Sequence, residues 1–112
     1  MIDHKDIEAM LMELPAVWLD YPFGEEAAVY KIGTKDTGEG KMFAIISEGS
    51  KPVRLSLKCD PQLAELLREK YETVVPGYHL SKKHWNTIIC TGQVPEDELK
   101  SLIRHSYELV TS

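Results

Sequence analysis

The spacing of hydrophobic and polar residues along this chain switches between a helical period and a strand period. The first helical stripe begins after Asp3, whose side chain can cap a helix, and ends before Pro15. Its apolar members recur every three or four positions, which places them on one helix face: Ile7, Met10, Leu11 and Leu14. The pattern predicts a first amphipathic helix.

Two further helices follow from caps and apolar spacing. Asp60-Pro61 is a cap followed by proline at the first helical position, and the predicted buried stripe is Leu63, Leu66, Leu67 and Tyr71. A third helix is predicted to begin near Pro95, where three acidic residues complement the helix dipole. Its predicted inner face is Leu99, Leu102, Ile103, Ser106 and Val110.

Strands are predicted where apolar residues alternate or run together between turn residues. A short strand and turn are expected in residues 17–24, and further strands in 27–32, 41–47, 53–58, 73–75 and 85–91. In residues 53–58 the alternation is clean: Arg54, Ser56 and Lys58 face away from the apolar side. That pattern is typical of an antiparallel sheet with one open face. The sequence therefore predicts one α+β domain, residues 1–112, with helices packed on one face of an antiparallel sheet.

Two irregular segments are assigned structural roles rather than ligand-binding roles. Trp18, Tyr21 and Phe23 are expected to cover the edge of the core, because large aromatic residues carry much of a small core's burial. Residues 33–40 hold three glycines and are expected to form a hairpin loop. They do not match a phosphate-binding loop, since no Gly-Lys-Ser/Thr ending is present.

Composition narrows the class of protein. The 112 residues carry a net charge of −5 and contain no apolar run long enough for a membrane span. The charged start of the chain lacks the apolar core of a signal peptide, so we expect a cytoplasmic protein. In that compartment the two cysteines, Cys59 and Cys90, are expected to be free buried thiols. No cofactor or membrane contact is expected, and a monomer is favoured.

Charge is unevenly distributed, and this points to a candidate surface. Residues 51–92 hold seven basic and four acidic residues, a net +3 in an acidic chain. The candidate nucleic-acid-binding residues lie here: Arg54, Lys58, His79, Lys82, Lys83, His84 and Trp85. Lysine and arginine would neutralise phosphates, while Trp85 or Tyr78 could stack on a base or brace the loop. The alternative is an ordinary solvated loop with Trp85 in the core.

Several motifs together resemble the MmcQ/YjbR family of small bacterial proteins. The matching pieces are Leu14-Pro15, Asp20-Tyr21-Pro22-Phe23-Gly24, Lys41-Met42-Phe43-Ala44, Leu57-Lys58-Cys59-Asp60-Pro61, Val75-Pro76-Gly77-Tyr78-His79, Lys83-His84-Trp85-Asn86-Thr87 and Ser106-Tyr107. The resemblance implies a fold similar to CyaY and frataxin. It also implies non-catalytic DNA binding through a "double wing" of strands and loops, and it brings no catalytic residues.

Other functions stay open. The first is a protein-binding or regulatory adaptor whose acidic N-terminal segment meets a partner. The second is frataxin-like metal binding by the acids Asp3, Asp6, Glu8, Glu13, Asp20, Glu25 and Glu26, although no ligand spacing is visible. His79 and His84 form a weak zinc pattern.

An enzyme is not expected. Cys59 precedes a helix N-terminus, which could lower its pKa, yet no base is supplied for it. His79 and His84 could serve as acid–base groups, but histidine also acts as a plain hydrogen-bond donor. Asn86, Ser106 and Tyr107 are assigned structural roles, with Tyr107 anchoring the third helix to the sheet.

Overall fold

The computed structural model describes residues 2–34, 40–77 and 80–111. The elements are α1 (His4–Met12), β1 (Val17–Asp20), β2 (Ala27–Ile32), β3 (Lys41–Ser47), β4 (Arg54–Lys58), α2 (Pro61–Lys70), β5 (Val74–Pro76), β6 (Trp85–Ile89) and α3 (Glu96–Thr111). The strands form a six-stranded sheet in the order β1-β2-β3-β4-β6-β5, and every neighbouring pair is antiparallel. The predicted fold class is confirmed.

Local chemistry explains where the helices begin. Asp3 caps α1 in a capping box, in which Asp3 and Asp6 each accept a hydrogen bond from the other's backbone N–H, at 2.9 and 3.0 Å. Asp60 caps α2 by accepting from the N–H groups of Gln62 and Leu63, and Pro61 holds the first helical position. Both predicted caps are confirmed.

The core lies between the three helices and one face of the sheet. Leu55 and Leu57 of β4 join this core, as the alternation predicted, and all five predicted inner residues of α3 are buried. Ser106, at the centre of that stripe, donates to the carbonyl of Phe43 at 2.6 Å and accepts from the N–H of Lys58 at 3.0 Å. These bonds tie α3 to the two central strands. Cys59 and Cys90 are buried free thiols, as predicted.

Some predicted core residues lie on the surface instead. Leu66 is 61% exposed, because α2 turns Ala64 and Leu67 toward the sheet. Tyr21 and Phe23 are 43% and 66% exposed, because the turn between β1 and β2 projects beyond the core that they were expected to cover. The hydroxyl of Tyr107 donates to the carbonyl of Pro15 and anchors α3 to the loop after α1, while the Tyr107 ring packs edge-on against Phe43 of β3, with 5.6 Å between the ring centroids.

The other face of the sheet, here called the open face, carries the polar side of β4. Arg54, Ser56 and Lys58 lie opposite Ile89, Thr87 and Trp85 of β6. The hydroxyls of Ser56 and Thr87 are 2.8 Å apart and satisfy each other in the middle of this face, where both residues are buried, so the face predicted to be open is exposed at Arg54 but not at its centre. Of the predicted hairpin loop, residues 35–39 lie outside the described residues. The flanking strands β2 and β3 do pair as a hairpin.

Candidate nucleic-acid interface

The end of β4 and the start of β6 bring several predicted site residues together. Lys58 lies opposite Trp85 in the sheet register, and the N–H of Cys59 donates to the carbonyl of His84 at 2.7 Å. Before β6 the chain turns tightly, because the N–H groups of His84 and Trp85 both donate to the carbonyl of Ser81. This turn leaves the side chains of Lys82, Lys83 and His84 exposed at the end of the sheet.

Arg68 of α2, which the sequence analysis did not single out, holds this turn in place. Its Nε donates to Oδ1 of Asn86 at 2.7 Å, and its Nη2 donates to the carbonyls of Lys82 and Trp85. A guanidinium can satisfy several acceptors at once because its donors lie in a rigid plane. We call the set Lys58, Arg68, Lys82, Lys83 and His84 the basic edge.

Trp85 braces the turn rather than facing solvent. Its side chain is only 7% exposed, which leaves little ring surface for stacking on a base. Its carbonyl accepts from the N–H of Gly77 at 3.0 Å, and a Cβ at residue 77 would come within 2.8 Å of the Trp85 Cβ. This close approach leaves no room for a side chain at residue 77, which explains why that residue is glycine. Of the two roles predicted for Trp85, bracing is the one that its position supports.

A surface groove of about 330 Å³ runs between α2 and the turn. Its lining includes Arg68, Lys82 and Lys83, along with one carboxylate, that of Glu65. The groove is therefore net positive. Among residues 2–34, 40–77 and 80–111, no ion pair within 4.0 Å involves a residue of the basic edge.

Two predicted site residues do not join the basic edge. Arg54 is exposed at the opposite end of β4, four residues and about 13 Å along the strand from Lys58. Its backbone N–H donates to Oγ of Ser50, which places it beside the turn after β3. His79, together with Tyr78, lies outside the described residues.

The thiol next to the basic edge is not activated. Burial, followed by the nearby charge of Asp60, raises the pKa of Cys59 to about 11, which outweighs the lowering effect of Arg68. The expected influence of the following helix on this thiol is therefore overridden. His105 of α3 has a structural contact, because its Nε2 accepts a hydrogen bond from the backbone N–H of Asp60 at 3.2 Å.

Four of the seven acidic residues considered as metal ligands serve separate partners. Asp3 and Asp6 cap α1, Asp20 pairs with Lys31 at 3.0 Å, and Glu8 accepts from the hydroxyl of Tyr30. Within the described part of the chain, no three His, Cys, Asp or Glu side chains come together as a group that could hold a metal ion. The geometry lends the frataxin-like metal hypothesis no support. In the same residues, no helix is long and apolar enough to cross a bilayer.

Fold and site together define a small α+β protein whose open antiparallel sheet ends in a basic edge. Residues 12–109 match the family model YjbR. The chain is also 38% identical over 107 residues to the uncharacterised protein YbdF of Escherichia coli O157:H7, which covers 96% of this chain and 83% of YbdF. The chain belongs to the YjbR family, as its motifs predicted.

Solved structures show the same fold. The Deinococcus radiodurans protein DR2400, of family domain DUF419, superimposes with a TM-score of 0.93 at 40% identity over 100% of this chain and 80% of that one. A Pseudomonas syringae protein gives a TM-score of 0.79 at 25% identity, covering 97% and 99% of the two chains. YjbR of E. coli K12 is 39% identical over 70 residues, which is 62% of this chain and 59% of YjbR. Family membership does not by itself specify a ligand or a reaction.

Proposed function

We propose that this protein binds double-stranded DNA, without catalysis, through the basic edge. The observation that carries the proposal is the grouping of Arg68, Lys82, Lys83 and His84 at one braced turn of an acidic protein, with Lys58 on the neighbouring end of β4. Because Arg68 holds the backbone of the turn, the exposed cations that the turn carries can neutralise neighbouring phosphates with little further loss of backbone freedom. Their lack of carboxylate partners within the described residues leaves the charge available.

Burial of Trp85 favours duplex over single-stranded DNA as the ligand. Non-specific binding of single strands relies on aromatic rings that stack on successive bases. Trp85 has little free ring surface, so contacts from the basic edge would go to the phosphate backbone. We therefore expect binding with weak sequence preference and with a dissociation constant in the range of roughly 1 to 100 μM at physiological salt.

Arg54 supports a second contact along the same sheet. It is exposed on the open face, at about 13 Å from Lys58 along β4. A duplex that lies along this strand could meet Lys58 and Arg54 through different phosphates. Arg54 would then add affinity without belonging to the basic edge.

The test is a fluorescence anisotropy titration of a short labelled duplex at several salt concentrations. We expect log K to fall linearly with log salt, with a slope of about −0.9 for each phosphate neutralised. The double variant Lys82→Gln/Lys83→Gln should weaken binding and flatten that slope by about 1 to 2 units. The matched control is Lys5→Gln/Lys100→Gln, which removes the same charge from exposed positions on α1 and α3.

Two results would contradict the proposal. The first is the absence of any anisotropy change at low salt when the protein concentration exceeds about 100 μM, the upper end of the usual range of non-specific dissociation constants. The other is an equal loss of DNA affinity in the two double variants, because only the overall charge would then matter.

The adaptor alternative is favoured by a different surface, the exposed aromatic turn between β1 and β2.

A further inference from the structure

Residues 21–24, between β1 and β2, expose two aromatic side chains that are two positions apart in the sequence. Phe23 is 66% exposed and Tyr21 is 43% exposed, and Pro22 between them is exposed as well. Single apolar residues on a surface are common, but two exposed aromatic residues in one short turn are typical of the anchors of protein interfaces. This turn takes no part in the basic edge.

The turn is held in one conformation. The N–H of Gly24 donates to the carbonyl of Tyr21 at 3.2 Å, and Gly24 adopts a φ of +101° that favours glycine. The N–H of Tyr21 donates to Oδ1 of Asp20 at 2.9 Å, and its hydroxyl donates to Oε1 of Glu48 at 3.1 Å. A fixed turn presents Phe23 with little entropy left to lose on binding.

The charges around the turn are negative. Glu25 and Glu26 follow it and are exposed, and Glu48 approaches from the end of β3. Lys31 neutralises Asp20, whereas Glu48 has only the hydroxyl of Tyr21 and, at 3.8 Å, His4 as described partners. A partner surface would therefore need positive charge around the point where Phe23 docks.

We infer that Tyr21, Phe23, Glu25, Glu26 and Glu48 form a docking surface for a protein segment that presents an apolar face bordered by lysine or arginine. Phe23 enters the apolar face, and the three glutamates pair with the flanking cations. The turn joins the sheet at the end where β2 begins and β3 ends, whereas Lys58 and Trp85 lie at the other end. This inference goes beyond DNA binding and does not depend on it.

The probe is an amphipathic peptide made of leucine and lysine, titrated into the isotope-labelled full chain and followed by amide NMR shifts and calorimetry. We expect the largest shifts at residues 21–26 and 48. Phe23→Ala should weaken binding about tenfold or more, as removal of an aromatic anchor does. Glu25→Gln/Glu26→Gln should weaken binding and reduce its salt dependence.

Leu66→Ala is the matched control, because Leu66 is 61% exposed on α2 and its removal should leave peptide affinity unchanged. A lysine–glycine peptide controls for charge alone, and a leucine–glutamate peptide controls for the apolar face alone. Any of three results overturns the inference: no shift at residues 21–26, equal affinity for the lysine–glycine peptide, or equal losses in Phe23→Ala and Leu66→Ala. DNA titration of Phe23→Ala is a separate readout, so failure of this surface is distinguishable from failure of the basic edge.

Discussion

At the scale of single residues, Arg68 links three parts of the molecule. Its guanidinium joins α2 to Asn86 of β6 and to two carbonyls of the turn before β6. Asn86 is buried and also donates to the carbonyl of Ala64, so its oxygen needs the partner that Arg68 supplies. We expect Arg68→Ala to lower the free energy of unfolding by about 2 to 3 kcal/mol, since hydrogen bonds to a charged group are lost and a buried acceptor is left unpaired.

Urea denaturation measures this loss, and Lys70→Ala is the control on the same helix. Lys70 is exposed and forms a 3.8 Å ion pair with Glu98, which is worth at most about 1 kcal/mol. Arg68→Lys should recover only part of the stability, because an ammonium cannot reach all three acceptors in one plane. Equal stability of Arg68→Ala and Lys70→Ala would show that the turn does not need the guanidinium.

Ser106 provides a second residue-scale test, in the centre of α3. It is fully buried, and its hydroxyl bonds to the carbonyl of Phe43 and the N–H of Lys58. Ser106→Ala should cost about 1 to 3 kcal/mol, because both backbone groups would lose their partner inside the protein. Ser101→Ala removes an exposed hydroxyl from the same helix and should change stability by less than about 0.5 kcal/mol. Comparison of the two thermal or urea unfolding curves checks the difference.

At the scale of elements, short-range signals predicted more than long-range ones. The caps Asp3 and Asp60 act on their own helices, and the alternation in β4 needs only neighbouring residues, so the sequence revealed them. The exposed turn at Phe23 was misjudged, because an aromatic residue predicts burial only where the fold supplies a covering surface.

The candidate site shows the same limit. Lys82, Lys83 and His84 are contiguous, so their grouping was visible in the sequence. Their proximity to Lys58 depends on the register between β4 and β6, which a sequence does not reveal. The separation of Arg54 from Lys58 follows from their positions at opposite ends of β4. One signal could have revealed Arg68: it lies four residues after the buried Ala64, at the spacing that places two residues on the same helix face.

The register of α2 can be tested with two adjacent leucines. A purely helical stripe predicted that Leu66 and Leu67 are both buried, whereas the structure buries Leu67 and exposes Leu66. Leu67→Ala should lower the free energy of unfolding by about 2 to 5 kcal/mol, and Leu66→Ala by less than about 0.5 kcal/mol. Chemical denaturation of the two variants measures both values. Similar losses of unfolding free energy in the two variants would mean that α2 is rotated about its axis so that Leu66 and Leu67 are equally buried.

At the scale of the whole molecule, the two buried thiols make stability sensitive to alkaline pH. Burial raises the pKa values of Cys59 and Cys90 from 9.0 to about 11. Because the folded pKa is the higher one, their contribution to stability is complete below pH 9 and is lost as the pH rises to 11. The loss should be on the order of 2 kcal/mol per thiol.

Urea unfolding across this alkaline range checks the prediction, with Cys59→Ala/Cys90→Ala as the comparison. The double variant should show a flatter decline, although part will remain because burial and the bond to Glu8 also raise the pKa of Tyr30. Parallel declines in the two proteins would rule out the thiols as the cause.

The two ends of the sheet give the molecule opposite surfaces, and this leads to a prediction about simultaneous binding. The basic edge lies where β4 ends and β6 begins, and the acidic aromatic turn lies where β2 begins and β3 ends. A duplex that contacts only the basic edge should not collide with a ligand at the opposite end of the sheet, so DNA at the basic edge and the leucine–lysine peptide are expected to bind together, whereas a duplex that reaches Arg54 approaches the end of the sheet that carries the turn. Because the peptide is itself cationic and attracts DNA, the decisive measurement is cross-variant affinity. Phe23→Ala should keep the DNA affinity, and Lys82→Gln/Lys83→Gln should keep the peptide affinity, each within about twofold, or about 0.4 kcal/mol. A loss of both affinities in either variant would show that one surface serves both ligands.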